Sequence, residues 1–127
     1  MYALIRIFKI KGFVRFQRKE RMSDRSLLEA IRQVEHGLFD ADLGNSLVKK
    51  RIARLGQGKR SGYRTIIAIR RNDKAVFLFG FAKNERSNIA DEELEELKKL
   101  ASVYLALNEK QIEDLIAYEE LVELYDA

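Results

Sequence analysis

The sequence predicts an α+β domain with a small antiparallel sheet, two N-terminal helices and a C-terminal helical extension. Between residues 47 and 83, apolar residues form short β-rich runs separated by turn residues, which is typical of strands. On both sides of this segment, apolar residues recur every three or four positions, which is typical of helices on a core. Because no linker or repeat interrupts the 127 residues, we expect residues 1–127 to form one domain.

The N-terminal part of the chain is predicted to contain one strand and two helices. The β-rich run Tyr2–Phe8 indicates a strand, and the aromatic residues within 13–16 indicate a short helix. Ser23 has the position of an N-cap for a second helix, and Gly37 has the position that follows a helix end. The polar residues and glycine within 40–46 predict a loop.

Three predicted strands occupy the middle of the chain, at residues 47–54, 62–71 and 75–83. Asn72 and Asp73 separate the last two strands by a tight turn, so these strands should form an antiparallel hairpin. A glycine-rich loop over 56–62 separates the first two strands, and its backbone is able to approach a phosphate closely.

The C-terminal part of the chain is predicted to be helical. One helix has an acidic first turn, Asp91–Glu93, which suits the positive end of the helix dipole, and an apolar stripe over 94–105. Asn108 and Gln111 then form a capping-box pattern. We therefore expect residues 108–127 to add an extra helix, with Val122 on its apolar side. Covering apolar surface, contacting a partner and self-association are all open roles for this helix.

Charge divides the chain into a basic body and an acidic tail. Residues 1–90 carry a net charge of +13 and residues 91–127 carry −9. A basic body of this kind is able to bind an anionic polymer, and here RNA is the best match. With no cysteine, no signal peptide pattern and no long apolar run, we expect a cytoplasmic protein without disulfides, without a membrane partner and without a zinc–thiolate site.

Candidate site residues concentrate between residues 49 and 86. Because side chains alternate along a strand, Lys49 and Arg51 should share one face, opposite Lys50. The only histidine, His36, falls at a predicted helix end, where interaction with the dipole is its expected role. Solvent-exposed positions on the sheet are expected for Lys50, Arg70 and Arg71. The candidates are Lys49, Lys50, Arg51, Arg54, Lys59, Arg60, Tyr63, Arg64, Lys83, Asn84, Glu85 and Arg86.

Three segments carry a family resemblance. Lys49-Lys50-Arg51, the run Gly58–Arg64 and the run Phe81–Arg86 together resemble the RelE/HigB toxins of type II toxin–antitoxin systems. The similarity extends over roughly residues 1–105 in the order of elements. It implies a RelE-like fold and a metal-independent mRNA endonuclease, without a cofactor, that inhibits translation, often at the ribosome. It also implies a cognate antitoxin, commonly one with a helix-turn-helix domain.

The resemblance also assigns roles to particular residues. Arg64 matches the family's phosphate-binding arginine, and Lys49 and Arg51 match its basic strand, which assists proton transfer and charge stabilisation. Lys83 matches the basic end of the last strand, and Glu85 joins this catalytic set either as a base or as a group that orients Lys83. RNA-binding positions are then expected at Lys50, Arg54, Lys59, Arg60, Tyr63, Asn84 and Arg86.

The chain departs from the RelE-like pattern at two positions. Asn84 stands where relatives carry an arginine, and Ala90 lies near the position of their tyrosine. Tyr63 has two interpretations, since it either stacks on an unstacked RNA base or packs in the core. Two other function classes also stay open: a ParE-like toxin that inhibits DNA gyrase through protein contacts, and a basic RNA-binding module without catalysis.

Overall fold

The computed structural model describes residues 5–54 and 62–125. The chain alternates short strands with helices that cross the two faces of one sheet. The elements in chain order are β1 (Arg6–Ile10), α1 (Lys11–Glu20), α2 (Asp24–Glu35), β2 (Ala41–Gly44), β3 (Leu47–Ile52), β4 (Tyr63–Arg70), β5 (Lys74–Ala82), α3 (Asp91–Leu105), α4 (Glu109–Ala117) and β6 (Leu121–Leu124).

Six strands form a single sheet in the order β2-β3-β4-β5-β1-β6. Neighbouring strands are antiparallel except β1 and β5, which run parallel. The predicted α+β class with a mainly antiparallel sheet is therefore confirmed, although the sheet is larger than predicted. The predicted β4–β5 hairpin is also present, and Asn72 in its turn adopts a left-handed backbone with φ of 61°.

The helices cover both faces of the sheet. On the α1–α2 face, Phe13, Leu27 and Ile31 form a core with residues of the sheet that point toward them. On the α3–α4 face, Leu97 and Ile112 belong to a second core. Each fully buried side chain of this size stabilises the fold by about 1.5–3 kcal/mol. Because the two cores lie on opposite sides of the strands, the sheet is covered on both faces.

The predicted helix ends are confirmed by their capping hydrogen bonds. Ser23 Oγ accepts a hydrogen bond from the Ser26 amide at 3.1 Å, so α2 begins where the sequence indicates. Gly37 follows this helix with φ of 80°. Asn108 and Gln111 form the reciprocal capping box of α4, with side-chain to backbone distances of 2.8 and 2.9 Å.

Three predictions about the elements are wrong. Residues 40–46 were expected to form a loop, yet Ala41–Gly44 is the edge strand β2, paired with β3. Residues 108–127 were expected to form one helix, yet α4 ends at Ala117 and β6 follows. Val122 therefore lies on a strand, because pairing with β1 satisfies the backbone of this segment. The first strand begins later than predicted, at Arg6, and residues 2–4 lie outside the described part of the chain.

No helix within residues 5–54 and 62–125 combines the length and the apolar character that crossing a membrane requires.

Candidate nucleic-acid interface

Two arginines face each other across strands β3 and β4. Arg51 and Arg64 are direct register partners, and Arg64 is also opposite Phe81 of β5. Side chains in direct register share a face of the sheet, with Cβ atoms about 4.5–5.5 Å apart. All three residues lie on the α3–α4 face, because Ile66, two positions along β4 from Arg64, belongs to that core. The sheet thus places two arginine side chains next to each other on one face.

Burial and repulsion both act on Arg64. Only 4% of this residue is exposed. Burial lowers the pKa of the Arg64 guanidinium, and the nearby charge of Arg51 lowers it further. The carboxylate of Asp40 opposes both effects. Like charges in direct cross-strand register repel each other and destabilise the sheet. An anionic group such as a phosphate, bound between the two arginines, would relieve this repulsion.

Asp40 holds Arg51 in this arrangement. One oxygen of its carboxylate accepts a hydrogen bond from the Arg51 backbone amide at 2.6 Å. The other oxygen lies 3.3 Å from Nε of the same side chain. The Arg51 side chain keeps 43% of its surface exposed. Its guanidinium is therefore oriented by Asp40 while it stays accessible to a ligand.

Arg86 and two phenylalanines extend the site toward the end of β5. The guanidinium carbon of Arg86 lies 5.4 Å from the ring centre of Phe79 and 5.2 Å from that of Phe81. Arg86 Nη2 also donates to Glu93 Oε1 at 2.6 Å. This hydrogen bond, together with one from the Ala90 amide, lowers the pKa of Glu93. The result is a cationic group stacked on an aromatic surface directly beside Arg64.

Lys49 and Lys83 lie at the edges of the arginine pair. Lys49 shares the face of Arg51, as predicted from strand alternation, and is half-buried. Lys83 follows β5 and is exposed, and its backbone amide donates to the Gly62 carbonyl at 3.1 Å.

A Cβ atom at Gly62 would lie 2.3 Å from the Ile52 carbonyl oxygen. Only glycine therefore permits the close approach that brings β4 against the end of β3.

Comparison with known families identifies the chain. A family model described as the RelE toxin of the RelE/RelB toxin–antitoxin system matches residues 5–124. The chain belongs to the RelE toxin family. It is accordingly the toxin of a toxin–antitoxin system, and membership implies an antitoxin partner. A search of curated proteins found no significant match.

Several residues that were expected at the site of this RelE-family toxin lie on the α1–α2 face instead. Lys50 is only 7% exposed and shares this face with Thr65, so the prediction of a solvent-exposed lysine is wrong. Tyr63 is 4% exposed, and its ring meets Phe16 edge to face at 5.8 Å. Burial raises the pKa of the Tyr63 hydroxyl. The core interpretation of Tyr63 thus fits its position better than base stacking.

Arg54 and Glu85 also have partners away from the arginine pair. Arg54 stacks over the Tyr63 ring at 5.7 Å and lies 3.7 Å from the Glu20 carboxylate. Glu85 lies 3.8 Å from Lys19 of α1. Within residues 5–54 and 62–125, no hydrogen bond or ion pair joins Glu85 to Lys83. The described contacts therefore give Glu85 no part in orienting Lys83.

The remaining predicted positions lie in the turn after β5, at the end of α2 or outside the described part of the chain. Asn84 is exposed in the turn after β5. His36 Nδ1 lies 2.8 Å from the Arg32 carbonyl oxygen at the end of α2, away from the arginine pair. Lys59 and Arg60 lie outside the described residues.

Sequence reasoning missed three contributors to the site. Asp40 was assigned to a loop, and Phe79 and Phe81 were treated only as strand residues. The alternation along β5 contained a signal for both phenylalanines, since Phe81 precedes the basic Lys83 by two positions. No local signal connects Asp40 with Arg51, because the contact depends on the pairing of β2 with β3.

Proposed function

We propose that this RelE-family toxin is a metal-independent endoribonuclease that cleaves mRNA, in association with the ribosome, and thereby inhibits translation. The observation that carries the proposal is the pair Arg51 and Arg64 in direct register, with Arg64 almost fully buried. A buried guanidinium has few alternative rotamers, so its donors are oriented before a ligand arrives. A phosphodiester matches this pair in both charge and geometry.

RNA supplies its own nucleophile for such a reaction. The ribose 2′-OH attacks the adjacent phosphorus, a base accepts its proton, and an acid protonates the leaving 5′ oxygen. Negative charge develops on the phosphoryl oxygens, where we place Arg64 and Arg51. Lys49 and Lys83 flank this position, and we assign proton transfer to these two lysines. The carboxylate of Glu85 is paired with Lys19 and has no role in this scheme.

The Arg86 platform supports RNA as the substrate. Unpaired RNA bases bind proteins by stacking on aromatic rings or on arginine planes. Phe81 is buried beneath Arg86, whereas the partly exposed ring of Phe79 and the guanidinium plane of Arg86 offer both kinds of surface beside the proposed phosphate position. We therefore propose that a nucleotide next to the scissile phosphate stacks there.

A purified translation system tests this proposal. Wild-type toxin should stop reporter synthesis, and mapping of 5′ ends should reveal cleaved mRNA. Arg64→Ala should reduce cleavage about a hundred-fold or more, because it removes the central phosphate donors. Arg64→Lys should also fail to restore full activity, since an ammonium lacks the bidentate geometry.

Arg71→Ala is the matched control. It removes the same charge from the exposed turn at the opposite end of β4 and should leave cleavage unchanged. Inhibited DNA supercoiling with intact message would instead identify a ParE-like mechanism. Salt-sensitive RNA binding without any cleaved ends would identify a binding module, and either result would overturn the proposal.

A further inference from the structure

A groove of about 570 Å³ lies along β6, the last strand of the sheet. We call it the β6 groove. It is bounded by α1, by the segment after α4 and by β6 itself, and it lies away from the arginine pair. The arginine pair lies on β3 and β4, four and three strand positions from β6 in the sheet order, so at about 4.8 Å per step the two sites are about 14–19 Å apart.

The outer edge of β6 is available for pairing. Within residues 5–54 and 62–125, β6 pairs with β1 on one side and has no strand on the other. An exposed strand edge carries backbone donors and acceptors that another extended chain is able to use. The opposite sheet edge, β2, is less suitable, because its register shifts near Asp42 and Asn45 ties the adjoining turn to α3.

Apolar side chains are exposed along the β6 groove. Tyr125 is 72% exposed and Val122 is 36% exposed. Val14 of α1, Ile116 and the buried Leu121 complete the apolar part of the lining. Strand addition obtains its specificity from pockets that receive alternate side chains of the added segment. The groove therefore favours an occupant with apolar residues at every second position.

The polar part of the lining is mainly cationic. Lys11, Arg15 and Arg18 line the groove from α1, and the spacing of four and three residues places them on one side of that helix. All three are exposed and form no ion pair within the described ranges 5–54 and 62–125. Of the two carboxylates in the lining, Glu123 is already bound by Arg6, which leaves Glu119. The groove is thus complementary to acidic side chains.

We propose that the β6 groove binds an extended segment of a protein partner in which apolar residues alternate with Asp or Glu. The backbone of the segment adds a seventh strand beside β6. Because successive side chains of β6 point to opposite faces, the apolar side chains of the segment contact Tyr125 on the α3–α4 face, and its carboxylates reach Arg15 and Arg18 on the α1 face. RNA would also be attracted by the cations, but it would leave the strand edge and the apolar lining unused.

Amide hydrogen exchange with a synthetic probe tests this proposal. The probe is a ten-residue peptide of alternating Glu and Val, and the same peptide with Lys in place of Glu is its control. We expect the acidic peptide to bind and to slow exchange within residues 121–125. The double variant Arg15→Glu/Arg18→Glu should weaken binding about ten-fold or more, since it reverses two charges that face the peptide.

The double variant Arg25→Glu/Arg71→Glu is the matched control. It reverses two exposed arginines that do not line the groove, and it should bind the acidic peptide as the wild-type protein does. Three results would overturn the proposal. These are equal binding of the basic peptide, protection by a single-stranded oligouridylate but not by the acidic peptide, and concentration-dependent self-association that protects β6 without any peptide. None of these readouts depends on RNA cleavage.

Discussion

At the residue scale, the orientation of Arg51 depends on one carboxylate. The Asp40 carboxylate accepts a hydrogen bond from the Arg51 backbone amide and forms an ion pair with Nε of the same residue. Its negative charge partly offsets the repulsion between Arg51 and Arg64. A carboxylate in this position lowers the net positive charge that RNA meets. It also fixes the geometry of a group that we place at the scissile phosphate. Binding and cleavage should therefore respond in opposite directions when its charge is removed.

Asp40→Asn is expected to separate these two effects. RNA should bind as tightly as before or more tightly, since the net charge rises by one unit. Cleavage at saturating RNA should fall about ten-fold, because Arg51 loses its orienting partner. Single-turnover kinetics give the rate and filter binding gives the affinity. Asp42→Asn removes the same unit of charge from β2 but no contact with Arg51, and Asp42 has no ion pair within the described ranges, so this variant should leave the cleavage rate unchanged. A parallel rise in affinity and rate would show that Asp40 acts only through net charge.

Alternation along β3 was sufficient to predict which cations share a face. Lys49 and Arg51 lie together and Lys50 lies opposite, since successive side chains of a strand point to opposite sides. The local sequence contains no information on which face a helix will cover. Lys50 is buried because the α1–α2 face is packed at that point. Exposure of a strand residue is thus a property of helix docking, which the sequence pattern of the strand does not contain.

At the element scale, α3 is attached to the sheet through its C-terminal end. This helix has no basic residue in its last turn. Arg70 Nη1 and Lys74 Nζ instead donate to the Leu105 carbonyl oxygen at 2.9 and 3.2 Å. Lys74 also reaches the Leu107 carbonyl oxygen at 3.0 Å. Cations from the β4–β5 hairpin thus satisfy the helix dipole and fix the C-terminal end of α3 at the end of the hairpin that lies away from the arginine pair.

A close contact between β5 and α1 yields a stability prediction. A Cβ atom at Gly80 would lie 2.5 Å from the Phe16 ring and 3.2 Å from Phe13. Gly80→Ala should therefore lower the free energy of unfolding by about 1–3 kcal/mol, as overpacked cores do. Gly12→Ala, where the nearest atom is 3.9 Å away, should instead leave it unchanged or raise it by up to about 1 kcal/mol. Urea unfolding followed by circular dichroism measures both. Equal stability of the two variants would contradict the contact.

Two strands escaped prediction for the same physical reason. The four residues of β2 include Asp42 and Gly44, which have low strand propensity. The segment of β6 follows a helical stripe and is rich in Glu, so its local pattern also lacks a strand signal. Both segments adopt extended structure because a neighbouring strand, β3 or β1, offers backbone partners. Helix ends were predictable, because capping depends on residues only three positions apart.

At the scale of the whole molecule, a single arginine joins the N-terminal strand to the C-terminal elements. Arg6 donates to both Glu123 oxygens at 2.8 and 2.7 Å and to Glu109 at 2.7 Å. The hydrogen bonds from Arg6 lower the pKa of Glu123 below its usual value of 4.5. These contacts hold α4 and β6 against β1. The acidic tail, which the charge pattern alone left without a role, is therefore an integral part of the sheet.

This carboxylate predicts how stability depends on pH. Because the pKa of Glu123 is lowered in the folded state, its contribution is present above pH 4.5 and is lost as the pH falls through the lowered value. Glu123→Gln should reduce the free energy of unfolding by about 2 kcal/mol near neutral pH. The difference from the wild-type protein should shrink in acid. Urea midpoints measured across a pH series provide the test.

Glu119→Gln is the control for this pH series. Glu119 is exposed and forms no ion pair within residues 5–54 and 62–125, so its substitution should not alter the pH profile. If the free energy of unfolding of Glu123→Gln stays below that of the wild-type protein by a constant amount from neutral to acidic pH, a role for the charge would be contradicted.

The α+β class was predictable at this scale because it follows from the order of patterned segments. The two-sided burial of the sheet was not, since it requires the positions of all four helices.

The pairing of β1 with its two neighbours has a consequence for the rate of folding. β1 lies between β5 and β6, and its contact with β6 joins Arg6 to Glu123, 117 positions away. Contacts between such distant residues require closure of a long chain segment before any stabilisation is gained, which slows folding. The β3–β4–β5 meander closes much shorter loops and is able to form earlier. We therefore expect the arginine pair to belong to the early part of the sheet and the edge that carries the β6 groove to be completed last.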